Sequence, residues 1–287
     1  MKRIRLFLIS TFLLLSLFAF MCTETTNFPL KTEMIQVDET NVEVHVRGKG
    51  PAIVLLPGNG GAASQYETFA PLLAANGYQT VAISVRGASK TTGPLENLTL
   101  HDYAADVAGV IETLKIVPTH VLGRAGGNRV ARCLATDRPE LVKSVILVAA
   151  GGLVPGDPKA IAAMKGWGEA TLPESERLAA FQSSMLSPAT DRNLVKPYPK
   201  WPAASKAQNA AKDATPRTAY WTAGKAPICV IQGLDDLIAP PGNGRLLREQ
   251  LGDRVKLIEI PEAGHALLFE KPKEIAEEVI KFIDAMK

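Results

Sequence analysis

The sequence predicts an α/β fold, in which a mostly parallel sheet is preceded by an antiparallel hairpin and interrupted by a helical insertion. Short, nearly continuous apolar segments alternate with helical segments along much of the chain, as is typical of parallel strands buried on both faces. Residues 34–46 instead alternate polar and apolar side chains, which indicates a two-stranded hairpin. The alternation of strands and helices stops over residues 151–225 and then resumes.

Each element follows from a local pattern of hydrophobicity and capping. A helix is predicted to begin at Thr99, because Asp102 stands three residues later in a capping-box arrangement. After the hairpin at 34–46, the first half of the chain predicts strands at 52–56, 79–84, 119–122 and 142–148, and helices at 65–76, 99–115 and 128–137. After the insertion, the predicted elements are strands at 227–231 and 255–260 and helices at 245–251 and 275–286.

These elements divide the chain into five parts. Residues 1–22 form a leader and residues 23–32 a linker. The core is expected to comprise residues 33–150 and 226–287, with residues 151–225 as a helical cap between its two parts.

Composition and charge limit the classes of function. The 287 residues are 46% hydrophobic and 21% charged, which is typical of a globular chain with a core large enough to need no disulfides. The net charge of +3 comes from Lys2, Arg3 and Arg5, since residues 23–287 carry 29 basic and 29 acidic side chains. The folded part therefore has no overall positive field to attract nucleic acid.

The N-terminus has the pattern of an export signal. A basic segment of five residues precedes an uncharged apolar run at 6–22, which at 17 residues is shorter than the roughly 20 that a spanning helix needs. Cys22 ends this run, and together with Ala19 it resembles a bacterial lipoprotein signal, although Met21 stands where a small residue is expected. An uncleaved anchor is the alternative. We expect an exported protein that is periplasmic, membrane-anchored or secreted, with membrane contact only through the leader or a lipid on Cys22.

The other two cysteines, Cys133 and Cys229, are expected to be separate buried thiols rather than a disulfide, because their spacing supports no pairing. Neither lies near a histidine or another cysteine in the sequence, so no metal site is predicted. Nothing in the sequence implies an organic cofactor.

Three motifs stand at strand ends in one chain order. Residues 121–127, Val-Leu-Gly-Arg-Ala-Gly-Gly, lead from a strand into a helix through small residues. Asp235 and Asp236 follow the strand at 227–231, and His265 follows the strand at 255–260. This order of turn, acid and histidine resembles the α/β-hydrolase family. Residues 55–60, Leu-Leu-Pro-Gly-Asn-Gly, and residues 85–89 resemble further loops of that family. The resemblance extends from about residue 35 to the C-terminus, with 151–225 as the variable cap.

The resemblance implies a catalytic set with one departure. The family turn reads Gly-x-Ser-x-Gly, and here Ala125 stands in place of the nucleophilic serine. A methyl group cannot attack a carbonyl, so serine acyl-enzyme chemistry is excluded. Asp236, preferred to Asp235 because it lies four residues before Pro240, is expected to orient His265. By the same resemblance, the backbone N–H groups of Asn59 and Gly126 would form an oxyanion pocket.

The expected function is action on a small ester, lactone or carbonyl compound by an Asp-His base. The partner is thus a small-molecule substrate. The alternative is a catalytically inactive binding protein on the same fold, since fold does not fix function. A remote alternative is an NADP-dependent oxidoreductase, because Gly58-x-Gly60-x-x-Ala63 resembles a dinucleotide fingerprint and Arg86 could take a 2′-phosphate.

Arg124, beside the nucleophile position, admits two interpretations. It either pairs with a buried acid or faces an anionic substrate, and structural pairing is the favoured one. The remaining histidines, His45, His101 and His120, are expected to be structural.

Overall fold

A computed structural model of the chain describes residues 28–169 and 171–286. The predicted leader at 1–22, with its Cys22, and the first part of the linker lie outside the described residues. In the two described ranges, no helix is long and apolar enough to cross a membrane.

An eight-stranded sheet forms the centre of the molecule, with strand order β1-β2-β4-β3-β5-β6-β7-β8. The first two strands form an antiparallel hairpin that pairs antiparallel with β4, and all further pairs are parallel. The predicted fold class is confirmed. The strands are β1 Lys31–Val37, β2 Thr40–Arg47, β3 Ala52–Leu56, β4 Gln79–Ile83, β5 Thr119–Arg124, β6 Val142–Val148, β7 Ile228–Gly233 and β8 Val255–Ile260.

Helices cover both faces of this sheet. The central strands send alternate side chains to opposite faces: Val54 and Leu56 pack with residues of α2, α3 and α7, whereas Ile53 and Leu55 pack with α1, α8 and α9. The helices are α1 Ala70–Ala74, α2 Leu100–Thr113, α3 Gly127–Asp137, α4 Pro158–Trp167, α5 Glu174–Met185, α6 Pro202–Ala214, α7 Gly242–Leu251, α8 Leu267–Glu270 and α9 Pro272–Asp284.

One predicted helix, at residues 65–76, is wrong in its extent. The chain there forms a short 3-10 turn, Ala63–Tyr66, followed by the five-residue helix α1. Pro71 explains the break, because it has no N–H to donate to the carbonyl of Glu67 and so cannot continue a helix from the preceding turn. The start of α2 agrees with the capping pattern, since the backbone N–H of Thr99 donates to Asp102 Oδ2 at 2.7 Å.

Between β6 and β7, the described residues of 151–225 form α4, α5 and α6 and include no strand. Hydrogen bonds attach these helices to strand-end loops of the core. The N–H of Ala266, after β8, donates to the carbonyl of Met185 at 2.8 Å, and Asn59, after β3, donates to the carbonyl of Ser205 at 3.3 Å. The helices therefore lie over the end of the sheet at which the parallel strands finish.

The two described cysteines are both buried and free, as predicted. Cys133 lies in the core on one face of the sheet and Cys229 in the core on the other. Burial raises the pKa of each thiol to about 12. Both thiols thus remain protonated at neutral pH, and neither acts as a nucleophile.

Candidate active site

A histidine–carboxylate pair is buried where β7 and β8 end. His265 Nδ1 lies 2.9 Å from Asp236 Oδ2 and 3.1 Å from Oδ1. The carboxylate is fixed in turn by the backbone, because Oδ1 accepts from the N–H groups of Ile238 at 2.9 Å and Ala239 at 2.7 Å. A carboxylate facing Nδ1 holds the proton on that nitrogen. Nε2 of His265 is then left as the proton acceptor.

The neighbouring Asp235 has a different partner. Its Oδ2 accepts a hydrogen bond from the Ser187 hydroxyl at 2.6 Å, on the segment that follows α5. The structure thus brings Asp236 rather than Asp235 to His265.

Glu270, which sequence reasoning missed, holds the loop that carries His265. Its Oε2 accepts from the N–H of Gly264 at 2.9 Å, and its Oε1 accepts from the N–H of Ser187 at 2.7 Å and the hydroxyl of Thr190 at 2.5 Å. Partial burial raises the pKa of Glu270, although these hydrogen bonds oppose the rise. One carboxylate therefore joins the histidine loop to the insertion. No local pattern signals this role, because Glu270 ends an ordinary short helix.

The turn between β5 and α3 presents Ala125. The backbone of Ala125 is left-handed, with φ of +46°, and its N–H donates to the carbonyl of Val148 at 2.9 Å. The flanking glycines allow no side chain: a Cβ on Gly123 would lie 2.5 Å from the carbonyl oxygen of Gly127, and one on Gly127 would lie 2.5 Å from that of Leu56. A left-handed non-glycine residue in so tight a turn is held there by its surroundings.

Two segments of main chain lie close together beside Ala125. A Cβ placed on Gly126 would lie only 2.8 Å from the backbone nitrogen of Asn59, so the two main chains are nearly in contact. Among the residues that the structure describes, neither the N–H of Asn59 nor that of Gly126 has a hydrogen-bond acceptor. Both donors are therefore available to a ligand oxygen.

These groups meet in one cavity of about 230 Å³. Its core side consists of Gly58, Asn59, Ala125 and His265, with Arg124 beside them. The opposite side is formed by the insertion, with Met164, Lys165, Trp167, Met185, Tyr198, Lys200, Ser205 and Asn209. The predicted site residues Ala125, His265 and Asn59 are thus brought together, with Asp236 behind His265.

Arg124 corrects an expectation. It is 1% exposed, and in the described part of the chain no carboxylate lies within ion-pairing distance of it, so the predicted pairing with a buried acid is wrong. Its Nη2 donates to the Tyr198 hydroxyl at 2.7 Å. The guanidinium carbon lies 4.9 Å from the Tyr198 ring centroid and 5.1 Å from that of Phe269. Aromatic rings of the insertion and of α8 surround this cation.

The other histidines lie outside the cavity. His101 Nδ1 is 2.7 Å from Asp137 Oδ2, and His120 Nδ1 is 2.8 Å from Ser144 Oγ. His45 lies 3.9 Å from Glu43. Across residues 28–169 and 171–286, no group of three or more His, Cys, Asp or Glu side chains could hold a metal ion.

The glycine loop after β3 is closed to a dinucleotide. The N–H of Gly60 already donates to Gln208 Oε1 at 2.7 Å, and a Cβ on Gly60 would meet the Ser205 hydroxyl of α6. Arg86, the candidate for a 2′-phosphate, forms a two-fold ion pair with Asp106 at 2.6 and 2.9 Å. The loop amide and the arginine that a pyrophosphate and a 2′-phosphate would need are thus already engaged within the protein.

Comparison with known proteins agrees with this architecture. Residues 51–272 match the family model described as the alpha/beta hydrolase fold. A protein of Mycobacterium tuberculosis named "Putative non-heme bromoperoxidase BpoC" is 28% identical over 86% of this chain and 99% of its own length. Its crystal structure superimposes with a TM-score of 0.73, covering 89% of this chain and 98% of that one. The rhodomycin D methylesterase DnrP of Streptomyces peucetius is 27% identical over 83% of this chain and 93% of its own.

Proposed function

The chain belongs to the α/β-hydrolase fold family, and on that premise we propose that it acts on a small ester, lactone or carbonyl compound. One observation carries the proposal. The buried His265–Asp236 pair and the unpaired N–H groups of Asn59 and Gly126 meet around one cavity. A proton acceptor and two donors around one cavity are what addition to a carbonyl requires.

In this proposal Ala125 stands at the family's nucleophile position, and a water molecule replaces the serine oxygen. His265 Nε2 takes a proton from that water as its oxygen adds to the substrate carbonyl. The oxyanion accepts hydrogen bonds from Asn59 and Gly126. When the intermediate collapses, the carbonyl re-forms, and the imidazolium returns its proton to the departing alcohol oxygen. For a carbonyl compound with no leaving group, the same base removes a proton from the carbon next to the carbonyl. The electron pair moves onto the carbonyl oxygen, which accepts hydrogen bonds from Asn59 and Gly126, and the imidazolium then returns the proton to the substrate.

General-base catalysis and the oxyanion donors determine the expected rate enhancement over the uncatalysed reaction. Proton transfer by a positioned base contributes ~10²–10⁴-fold. Each oxyanion donor contributes ~10²–10³-fold. A site with these groups and no nucleophile can therefore accelerate hydrolysis, but it lacks the covalent step of an ordinary esterase.

The test compares the unaltered protein, Ala125→Ser and His265→Ala on a panel of short-chain esters and lactones. If the unaltered protein turns over a substrate and His265→Ala abolishes the turnover, base catalysis without serine is supported. His101→Ala is the matched control, because His101 also faces a carboxylate at 2.7 Å but lies outside the cavity. Equal activity of the unaltered protein and His265→Ala contradicts the proposal.

A second candidate function is small-molecule binding without catalysis, and Ala125 is the observation that favours it. The expected result is then different. The unaltered protein hydrolyses none of the esters and lactones, and only Ala125→Ser gains activity. Calorimetric binding to the unaltered protein of a compound that Ala125→Ser hydrolyses would establish this function.

We further propose that the protein is exported, because residues 1–22 carry the basic and apolar pattern of a signal segment. Cell fractionation and mass spectrometry of the mature N-terminus test this. A lipid-modified N-terminus that Cys22→Ser abolishes supports a lipoprotein anchor. A full-length chain in the cytoplasm contradicts export.

A further inference from the structure

We infer that the substrate carries a negatively charged carboxylate or phosphate group and that Arg124 binds this group inside the cavity. The inference deepens the proposed function, and it rests on that proposal for the reaction that follows binding. It is carried by the position and the incomplete pairing of Arg124.

Arg124 is a buried cation with unused donors. Its Nε is buried and has no hydrogen-bond partner among the described residues, and Nη2 is bonded only to the uncharged hydroxyl of Tyr198. A Cβ on Gly58 would lie 2.6 Å from Nη1, so the guanidinium lies directly against the loop that contains Asn59. Arginine keeps its charge in proteins, and a buried charge without a counter-ion is costly. An anionic ligand would supply the missing counter-ion.

The aromatic rings around Arg124 do not replace that counter-ion. The Tyr198 and Phe269 rings stack with centroids 5.1 Å apart, and both attract the guanidinium through their faces. Face contacts use none of the N–H donors in the guanidinium plane, and the Tyr198 hydroxyl accepts from Nη2 alone. A carboxylate or phosphate accepts two such donors at once, because its oxygens match the spacing of the guanidinium fork.

Two lysines add to the positive charge of the same cavity. Lys165 and Lys200 both line it, and Lys200 Nζ lies 3.5 Å from the ring centroid of Trp167. No carboxylate belongs to the described lining, and Asp236 is already bonded to His265. Since basic and acidic side chains balance over residues 23–287, this positive cavity is a local feature and not a reflection of overall charge.

The walls of the cavity indicate what the anionic group is attached to. Met164, Trp167 and Met185 give it an apolar side. Its volume of about 230 Å³ lies below the ~300–1,000 Å³ that is usual for drug-sized ligands. The ligand is therefore a small organic anion with a short apolar body.

Binding can be measured by isothermal titration calorimetry, without any need for turnover. The probes are butyrate, its neutral counterpart butyramide, and butyl phosphate, each titrated into the unaltered protein. We expect both anions to bind roughly 10- to 100-fold more tightly than the amide, as is usual for a hydrogen-bonded charge. The ratio of the affinities for butyrate and butyl phosphate identifies which anionic group the substrate carries.

Arg124→Met removes the charge and keeps a side chain of similar length. Its matched control is Arg132→Met, because Arg132 is also 1% exposed, lies against an aromatic ring (Trp221) at 4.6 Å and has unpaired nitrogens, but does not line the cavity. We expect Arg124→Met to abolish the preference for anions and Arg132→Met to retain it. Lys200→Gln, at an exposed residue, provides a second variant if Arg124→Met does not fold, and we expect it to weaken anion binding several-fold.

Two results would overturn the inference. One is equal affinity of the unaltered protein for butyrate, butyl phosphate and butyramide. The other is an unchanged preference for anions in folded Arg124→Met, or in Lys200→Gln where Arg124→Met does not fold. If the proposed function alone fails, the result is different. Anions then bind selectively, but no ester that also carries a carboxylate or phosphate group is turned over.

Discussion

Gly126→Ala tests the oxyanion pocket through a single methyl group. Gly126 has φ of −56° and ψ of −39°, which alanine adopts freely, so the substitution strains no backbone angle of its own. Its Cβ would however lie 2.8 Å from the nitrogen of Asn59 and 2.9 Å from its Cα and Cβ. Because backbone atoms stand in the way, the loop at Asn59 must move by a few tenths of an ångström or more.

The expected loss follows from that displacement. Moving one N–H away from the developing oxyanion costs ~10²–10³-fold in kcat, as for removal of one oxyanion donor. Overpacking destabilises the fold by about 1–3 kcal/mol. The assay measures kcat and KM on a substrate of the unaltered protein, together with the free energy of unfolding in urea. The effect should fall mainly on kcat, since the interaction strengthens in the transition state.

Gly166→Ala, in α4, is the matched control, because a Cβ on Gly166 would make only ordinary contacts, at 3.7 Å with Ala180 and 3.8 Å with Leu172. We expect it to leave kcat unchanged and to stabilise the helix slightly. If folded Gly126→Ala retains the kcat of the unaltered protein, the assignment of Asn59 and Gly126 as oxyanion donors is refuted.

Three further predictions concern charged groups of the site. Asp236→Asn should lower kcat by roughly 10²–10⁴-fold, because an amide stabilises neither the required tautomer of His265 nor its cation, and steady-state kinetics measures the loss. Glu270→Gln should reduce the free energy of unfolding by about 1–3 kcal/mol and lower kcat, since its amide nitrogen cannot accept the hydrogen bonds that hold Gly264 and the insertion. Although Lys200 is exposed as a whole residue, partial burial of its ammonium group against Trp167 and the neighbouring Arg124 lower its pKa to about 8. Butyrate affinity, followed by calorimetry, should therefore weaken as pH rises from 7 to 9.

The glutamate and lysine predictions each have a control variant, and all three predictions have a contradicting result. Glu140→Gln, at an exposed ion pair with Arg138, should change stability by less than about 1 kcal/mol. Lys206→Gln removes an exposed lysine of α6 outside the cavity and should leave the pH profile of butyrate binding unchanged, whereas Lys200→Gln should flatten it. Full kcat in Asp236→Asn would contradict the role given to that carboxylate. Equal effects of Glu270→Gln and Glu140→Gln on stability would contradict the role of Glu270. An unchanged pH profile of butyrate binding in Lys200→Gln would contradict the role of Lys200.

Much of the fold was predictable because the local pattern of apolar and polar residues indicates which strands are buried. The five residues of β3 are all apolar and all buried, and the alternation of β1 and β2 predicted their hairpin correctly. The predicted helix at 65–76 is wrong because apolar spacing favours a continuous helix there, whereas Pro71 interrupts its hydrogen bonding.

The candidate site was partly predictable for a similar reason. A small-residue turn after one strand, acids after another and a histidine after a third must come together, because parallel strands finish at the same edge of a sheet. The resemblance of these strand-end motifs to the α/β-hydrolase family then named Ala125, Asp236 and His265. Between Asp235 and Asp236 it offered only a preference, whereas the fold directs one carboxylate to His265 and the other to Ser187.

Only the tertiary structure decided the environment of Arg124 and the role of Glu270. Both depend on hydrogen bonds between the core and the insertion. Arg124 donates to Tyr198, and Glu270 accepts from Ser187 and Thr190. Such partners are 74 to 83 residues away in sequence, and no local pattern encodes them. The sequence by itself determined the sheet and the chemistry at its strand ends, because those follow from short-range periodicity. The charge and shape of the cavity arise from distant segments packed together, so folding alone decides them.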